Sequence, residues 1–301
     1  MVSFNWIERH MSFLTARLGI YRLDAGEEFF FEPTPGFYGF ISQGTTACLN
    51  EAIRMLADHI ESRTAPVIED WKGSQDPLVT STYDWTKEKT PPGMIRYLGP
   101  NHSRIEINIT NKHSPYILGA ILAHELTHHF LELKGIRYPD IDENERLTDL
   151  TTAYIGLGKL TLNGYEPISW THWTPQGRIE YTYQVGYLSP KDMAAIIHEV
   201  CQFRGILTDV TKRNLTAKAL SLLEGIHERS NEYHLRKELV GVRQCPRCER
   251  FAKFAFGEDD DDVYCSACGW EWSAGLRFAH RRKRTTLGSR IRSWFKKGGG
   301  V

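Results

Sequence analysis

Apolar residues recur at helical spacing between Ser114 and Gly135, where Ile117, Leu118, Ile121, Leu122, Leu126 and Leu133 form one broad stripe. Ser114 suits an N-cap, Pro115 the first helical position and Gly135 the position after the last turn, so both ends of this helix are marked. A second helix is predicted from Asn144, with Leu147, Leu150, Tyr154 and Leu157 as its stripe. Strict alternation over Arg104–Thr110 predicts a strand with one buried face, and shorter strands are predicted at Ala65–Trp71 and Met94–Leu98. A helix over Thr46–Ser62 would cover one face of that sheet. Ser169–Thr174 and Arg178–Tyr183 flank Pro175-Gln176-Gly177 and read as an aromatic-rich hairpin. Ser189-Pro190 opens a helix to Phe203, and Thr208–Leu239 reads as one further helix. The pattern predicts an α+β protein, a small mixed sheet packed on the first helix and on the glutamate-bearing helix that follows it.

The first helix carries His124-Glu125-Leu126-Thr127-His128. Residues i and i+4 share a helix face, so His124 and His128 can grip one metal while Glu125 reaches a metal-bound water. Catalytic zinc takes three protein ligands and keeps one position open, which directs attention to the second helix. There Glu145 and Asp149 lie four apart on one side, off the apolar stripe, with Thr152 and Gly156 continuing that side. In one reading Glu145 is the third ligand and Asp149 accepts the free ring N–H of a ligating histidine. In the other, both are a solvated acidic face near a helix N-terminus, where negative charge is favourable. Glu143 and Asp142 are nearby alternatives for the ligand.

HExxH followed by Asn144-Glu145-x-x-x-Asp149 on the next helix resembles the gluzincin clan of zinc metallopeptidases. The resemblance runs from residue 115 to about 157, in the tight helix, loop, helix order of the clan's small members. It implies a peptidase acting on a peptide or protein, with Glu125 as general base and Glu145 completing a zinc site with His124 and His128. It also implies that an edge strand binds the substrate backbone, for which Arg104–Thr110 is the candidate; an ordinary strand beneath the helix is the other reading. A donor for the developing oxyanion is required, and His172, Tyr181, Tyr183 and Tyr187 are available without the sequence selecting one. His198, in an amphipathic helix, reads as a surface or core residue.

Cys245-Pro-Arg-Cys248 and Cys265-Ser-Ala-Cys268 are two Cys-x-x-Cys knuckles separated by sixteen residues. Four thiolates at this spacing suit a closed tetrahedral structural zinc site with a hairpin between the knuckles, and the segment looks like a zinc ribbon. Two disulfides would require an oxidising compartment. The N-terminus has no basic region followed by an apolar core, and no run of eighteen apolar residues occurs. Cys48 and Cys201 sit in helical contexts. The expectation is a reduced, cytoplasmic protein holding one catalytic and one structural Zn2+.

The formal net charge of zero conceals an uneven distribution, since Trp272–Val301 holds nine Lys and Arg and no acid. Arg281-Arg-Lys-Arg284 is a basic cluster, and Ile291, Trp294 and Phe295 recur among further cations. Such a tail suits nucleic acid, an anionic membrane surface, an acidic protein surface or simple solvation, and the acidic run Asp259–Asp262 argues against phosphate. The expected organisation is an N-terminal extension over 1–40, a peptidase domain over 41–240, a zinc ribbon over 241–275 that recruits a protein partner, and a basic tail over 276–301. The rival expectation is a non-catalytic zinc-binding module that binds nucleic acid or protein through the ribbon and tail.

Overall fold

The computed structural model describes residues 2–70, 93–99, 102–107, 113–165, 168–174, 177–183, 185–237, 240–245, 247–256, 262–269 and 271, with backbone alone at 23–25, 168–174, 177–183, 227–228, 232, 235–236 and 243–244. The architecture is α+β. In chain order it runs α1 (Phe4–Leu18), a 3-10 segment (Leu23–Glu28), α2 (Pro35–Ile41), α3 (Thr46–His59), β1 (Val67–Asp70), β2 (Gly93–Gly99) and β3 (His102–Ile107). There follow α4 (Pro115–Leu133), α5 (Ile141–Tyr154), α6 (Gly158–Gly164), β4 (Ile168–Thr174), β5 (Gly177–Tyr183), α7 (Pro190–Arg204), α8 (Thr208–Lys212) and α9 (Ala217–Lys237). The last strands are β6 (Gly241–Gln244), β7 (Phe251–Phe256) and β8 (Val263–Cys265). Two compact units result, one of residues 1–2 with 7–227 and the other of 3–6 with 228–301.

The first sheet is mixed, in the order β1-β3-β2, with β1 parallel and β2 antiparallel to β3. The strand expected at an edge, Arg104–Thr110, is therefore central over its described part, and residues 108–110 lie outside the description. A central strand has both edges paired, so its backbone hydrogen bonds are spent on β1 and β2. Ile105 and Ile107 are buried, and the buried Glu106 forms ion pairs with Arg96 at 2.9 Å and Arg104 at 2.8 Å. Asn50 of α3 covers the outer edge of β1, donating to Ile68 O and accepting Ile68 N–H, both at 2.9 Å.

Helix α4 begins where its sequence marks it, with Ser114 Oγ accepting the N–H of Ile117 at 3.3 Å, and Gly135 follows its end at φ 64°. It is more deeply set than its stripe suggests, since every residue from Ile117 to Thr127 is buried. Ala120, Ala123 and Gly119 fill the nominally polar side, so neighbouring elements close around the helix. Helix α5 is capped by Asp140, which accepts Glu143 N–H at 2.8 Å. Its inner face is lined by threonines whose hydroxyls bond back into the helix, Thr148 to Asn144 O and Thr151 to Leu147 O.

The single helix expected over Thr208–Leu239 is broken. Asn214 takes a left-handed φ of 56°, and Thr216 Oγ1 recaps the chain by accepting Ala219 N–H at 3.2 Å. Buried α6 side chains hold the break: Asn163 bonds Asn214 O and Thr216 N–H, and Lys159 Nζ donates to Val210 O, Arg213 O and Glu32. Helical propensity yields here to tertiary hydrogen bonds.

In the other unit β6, β7 and β8 form an antiparallel meander around Cys245, Ala252, Phe254, Val263 and Cys265. Tyr233 stacks between Phe4 at 5.2 Å and Phe256 at 5.1 Å between ring centroids. Asp259–Asp261 and the tail, with Arg281–Arg284, Ile291, Trp294 and Phe295, lie outside the described residues.

Candidate metal centres

Helices α4 and α5 are joined by a short connection and bring three of the expected residues to one point. His124 Nε2 lies 3.1 Å from Glu145 Oε2, His128 Nε2 lies 3.0 Å from the same oxygen, and the two ring nitrogens are 3.1 Å apart. Ligands held tetrahedrally at zinc's usual bond lengths are separated by roughly 3.3–3.4 Å, so this triangle has nearly the size of one tetrahedral face.

The outer sides of the two imidazoles are engaged by the same turn of α5. His124 Nδ1 lies 2.9 Å from Asp149 Oδ1, and His128 Nδ1 lies 3.3 Å from Thr148 Oγ1. Asp149 is fully buried, and its other oxygen accepts the backbone N–H groups of Tyr187 at 2.7 Å and Leu188 at 2.9 Å and the hydroxyl of Tyr165 at 3.3 Å. Gly186, at φ 85°, begins this wrapping turn. A Cβ at that position would lie 2.9 Å from both carboxylate oxygens.

With each Nδ1–H donated outward, three electron pairs face one another across the triangle, and only a cation resolves that arrangement. A proton can meet that demand as a metal can. Burial works against a charged His124, but its bonds to Asp149 and Glu145 outweigh burial and hold its pKa well above the ordinary imidazole value. For Glu145 burial raises the pKa, and the bonds to His124 and His128 overcome this and hold it well below the usual carboxylate range. Two imidazoles, a carboxylate and oriented outer partners are equally a donor set for a divalent metal, and these residues fit one.

Glu125 stands beside the triangle without entering it. It is buried, which pushes its pKa up; the two histidines oppose the shift, and Ile95 N–H of β2 donates to its carboxylate. Gly93 leaves the space, because a Cβ there would press to 2.6 Å from Ile121 Cγ2 and 3.5 Å from Glu125 Oε1. Further along the same strand, the half-exposed Tyr97 donates its hydroxyl to His128 O at 3.4 Å.

The alternatives to Glu145 are placed elsewhere. Asp142 is exposed, and Glu143 lies 4.0 Å from His10. Of the oxyanion candidates, the side chains of His172, Tyr181 and Tyr183 fall outside the description; Tyr187 contributes its backbone to the turn around Asp149. The sequence reading missed Thr148, Tyr165, Ile95 and Tyr97. Only Thr148 left a local signal, as a hydroxyl one turn beyond Glu145 and next to Asp149.

Cys245, Cys248, Cys265 and Cys268 form the second group able to hold a metal, their sulfurs all within 4.8 Å of one another. Burial raises the Cys245 pKa, but backbone N–H groups of Cys248 and Arg247 and the neighbouring thiols bring it down to about 7, where thiolate is available as a ligand. Cys245 and Cys268 are 3.8 Å apart at sulfur.

Compared with known proteins, the chain matches no family model, no curated protein and no solved structure. Among the described residues no helix is long and apolar enough to cross a membrane.

Proposed function

We propose that this chain is a zinc-dependent peptidase of the gluzincin type that hydrolyses peptide bonds of a protein substrate, with His124, His128 and Glu145 as ligands of the catalytic zinc. The observation that supports it is the triangle of Nε2, Nε2 and Oε2 atoms at 3.0–3.1 Å, its outer hydrogen bonds already assigned, with a further buried carboxylate alongside. A structural metal site has no use for that fourth group. Zinc bound there would polarise a peptide carbonyl and lower the pKa of a bound water toward about 7.

The remaining chemistry belongs to the chain. Glu125, with its proton affinity raised by burial, is suited to take a proton from the attacking water and return it to the leaving amine. Ile95 N–H fixes the carboxylate that does this. Asp149 orients His124 through Nδ1. Among the described residues β2 pairs with β3 alone, so an extended substrate would add along the other edge of β2, beside Glu125. The four cysteines would close a structural zinc ribbon, a donor set consistent with a reducing, cytoplasmic setting.

A second reading, a binding module, is favoured by one observation: Val242 and Phe251 on the cysteine-bearing sheet are 74% and 77% exposed. That face would take a protein partner or nucleic acid whether or not the chain is an enzyme.

The deciding experiment is zinc stoichiometry on the wild type, His124→Ala and Cys245→Ser, followed by cleavage of unfolded casein by wild type and Glu125→Gln. Two zinc ions falling to one in each metal variant, with cleavage abolished in Glu125→Gln, supports the peptidase. One zinc ion indifferent to His124→Ala supports the binding module.

A further inference from the structure

We propose that Thr148 is a positioning residue for the metal site, fixing His128 with Nδ1 protonated and Nε2 free to bind. The inference rests on the peptidase reading above and extends it to a group that the HExxH pattern does not contain.

The argument is a count of protons. A threonine hydroxyl has one proton and two lone pairs. Thr148 gives its proton to Asn144 O at 2.9 Å, within its own helix, which leaves the oxygen only as an acceptor. His128 Nδ1, 3.3 Å away, must then be the donor. Thr148 is fully buried, so solvent does not compete for that lone pair. The alternative tautomer would leave Nδ1 and Oγ1 as two acceptors facing each other, and would place a proton on the very Nε2 that a metal needs.

The two ligating histidines thus have unequal partners supplied by adjacent residues, a carboxylate for His124 and a neutral hydroxyl for His128. A hydroxyl orients the ring without placing a second negative charge against an already acidic site. Glu145, Thr148 and Asp149 fall at i, i+3 and i+4, so one turn of α5 provides a ligand and both outer partners.

The test is zinc affinity, measured on the full chain by competition with a chromophoric chelator. Thr148→Val keeps the shape and removes the acceptor; it should weaken the histidine-site zinc by about 10–100-fold while the cysteine-site zinc is unchanged. Thr148→Ser should restore near wild-type affinity. A second measurement needs no variant: long-range 1H–15N spectra of the zinc-loaded wild type should show His128 protonated at Nδ1 and bound through Nε2. Wild-type affinity in Thr148→Val, or a His128 bound through Nδ1, overturns the role of Thr148 and leaves the peptidase reading standing. A wild type that takes zinc only at the cysteines overturns both.

Discussion

Asp149 and Gly186 approach so closely that a single methyl group at 186 would lie 2.9 Å from each carboxylate oxygen. Gly186 also holds φ at 85°, where side chains are strained. Gly186→Ala should therefore displace the turn that donates Tyr187 and Leu188 N–H to Asp149 and so loosen His124. We expect zinc at the histidine site to bind about 10–100-fold more weakly, read by chelator competition, with the cysteine site untouched.

Glu125→Gln should separate metal binding from chemistry. Glu125 stands outside the ligand triangle, so the variant should keep the wild-type zinc content by elemental analysis. Loss of the general base should lower cleavage of unfolded casein by at least about 10²-fold. A variant that cleaves at the wild-type rate would remove Glu125 from the mechanism.

Glu145→Ala removes the oxygen shared by both histidines. Zinc content should fall by one ion per chain, leaving the cysteine-bound ion. Retention of both ions would show that another group completes the site.

Zinc uptake should release a proton. Asp149 and Glu145 outweigh the burial that opposes a charged His124 and so favour its protonated form, from which the metal must displace a proton. The sign follows: affinity falls as pH drops through the raised His124 pKa, and calorimetric heats at neutral pH should vary with the ionisation enthalpy of the buffer. Heats independent of buffer would contradict the protonated triangle.

His59 offers a pH effect away from the metal. Burial lowers its pKa to about 4, with Arg22 adding to the shift and the hydrogen bond to Phe29 O opposing it. A histidine depressed below its unfolded value near 6.5 binds its proton more readily when unfolded, so its contribution to stability is complete above 6.5 and lost as pH falls toward 4. The full loss is on the order of 3 kcal/mol. Urea midpoints at pH 7 and pH 5 should differ more in wild type than in His59→Gln.

Much of the candidate site could be read along the chain because its key spacings are local. His124 and His128 share a face at i and i+4, Glu145 and Asp149 do the same, and Ser114 and Gly135 mark the ends of α4 by hydrogen-bond and backbone requirements a sequence displays. What was not readable depends on distant pairing. The central place of β3 is set by which strands flank it, and alternation in Arg104–Thr110 reports a buried face without reporting neighbours. The break at Asn214 is held by Asn163 and Lys159, about fifty residues earlier. The cage around Asp149 draws on Tyr165, Tyr187 and Leu188, none of which carries a local pattern. Thr148 sat next to a recognised residue, yet its role emerges only once His128 is seen across from it.

Because one turn of α5 supplies Glu145, Thr148 and Asp149, the candidate metal site cannot be tuned by sliding that helix. A rotation by a single residue, about 100°, would withdraw a ligand and both orienting partners together. Any shift of α5 would therefore remove the three groups from the candidate site together and not one at a time.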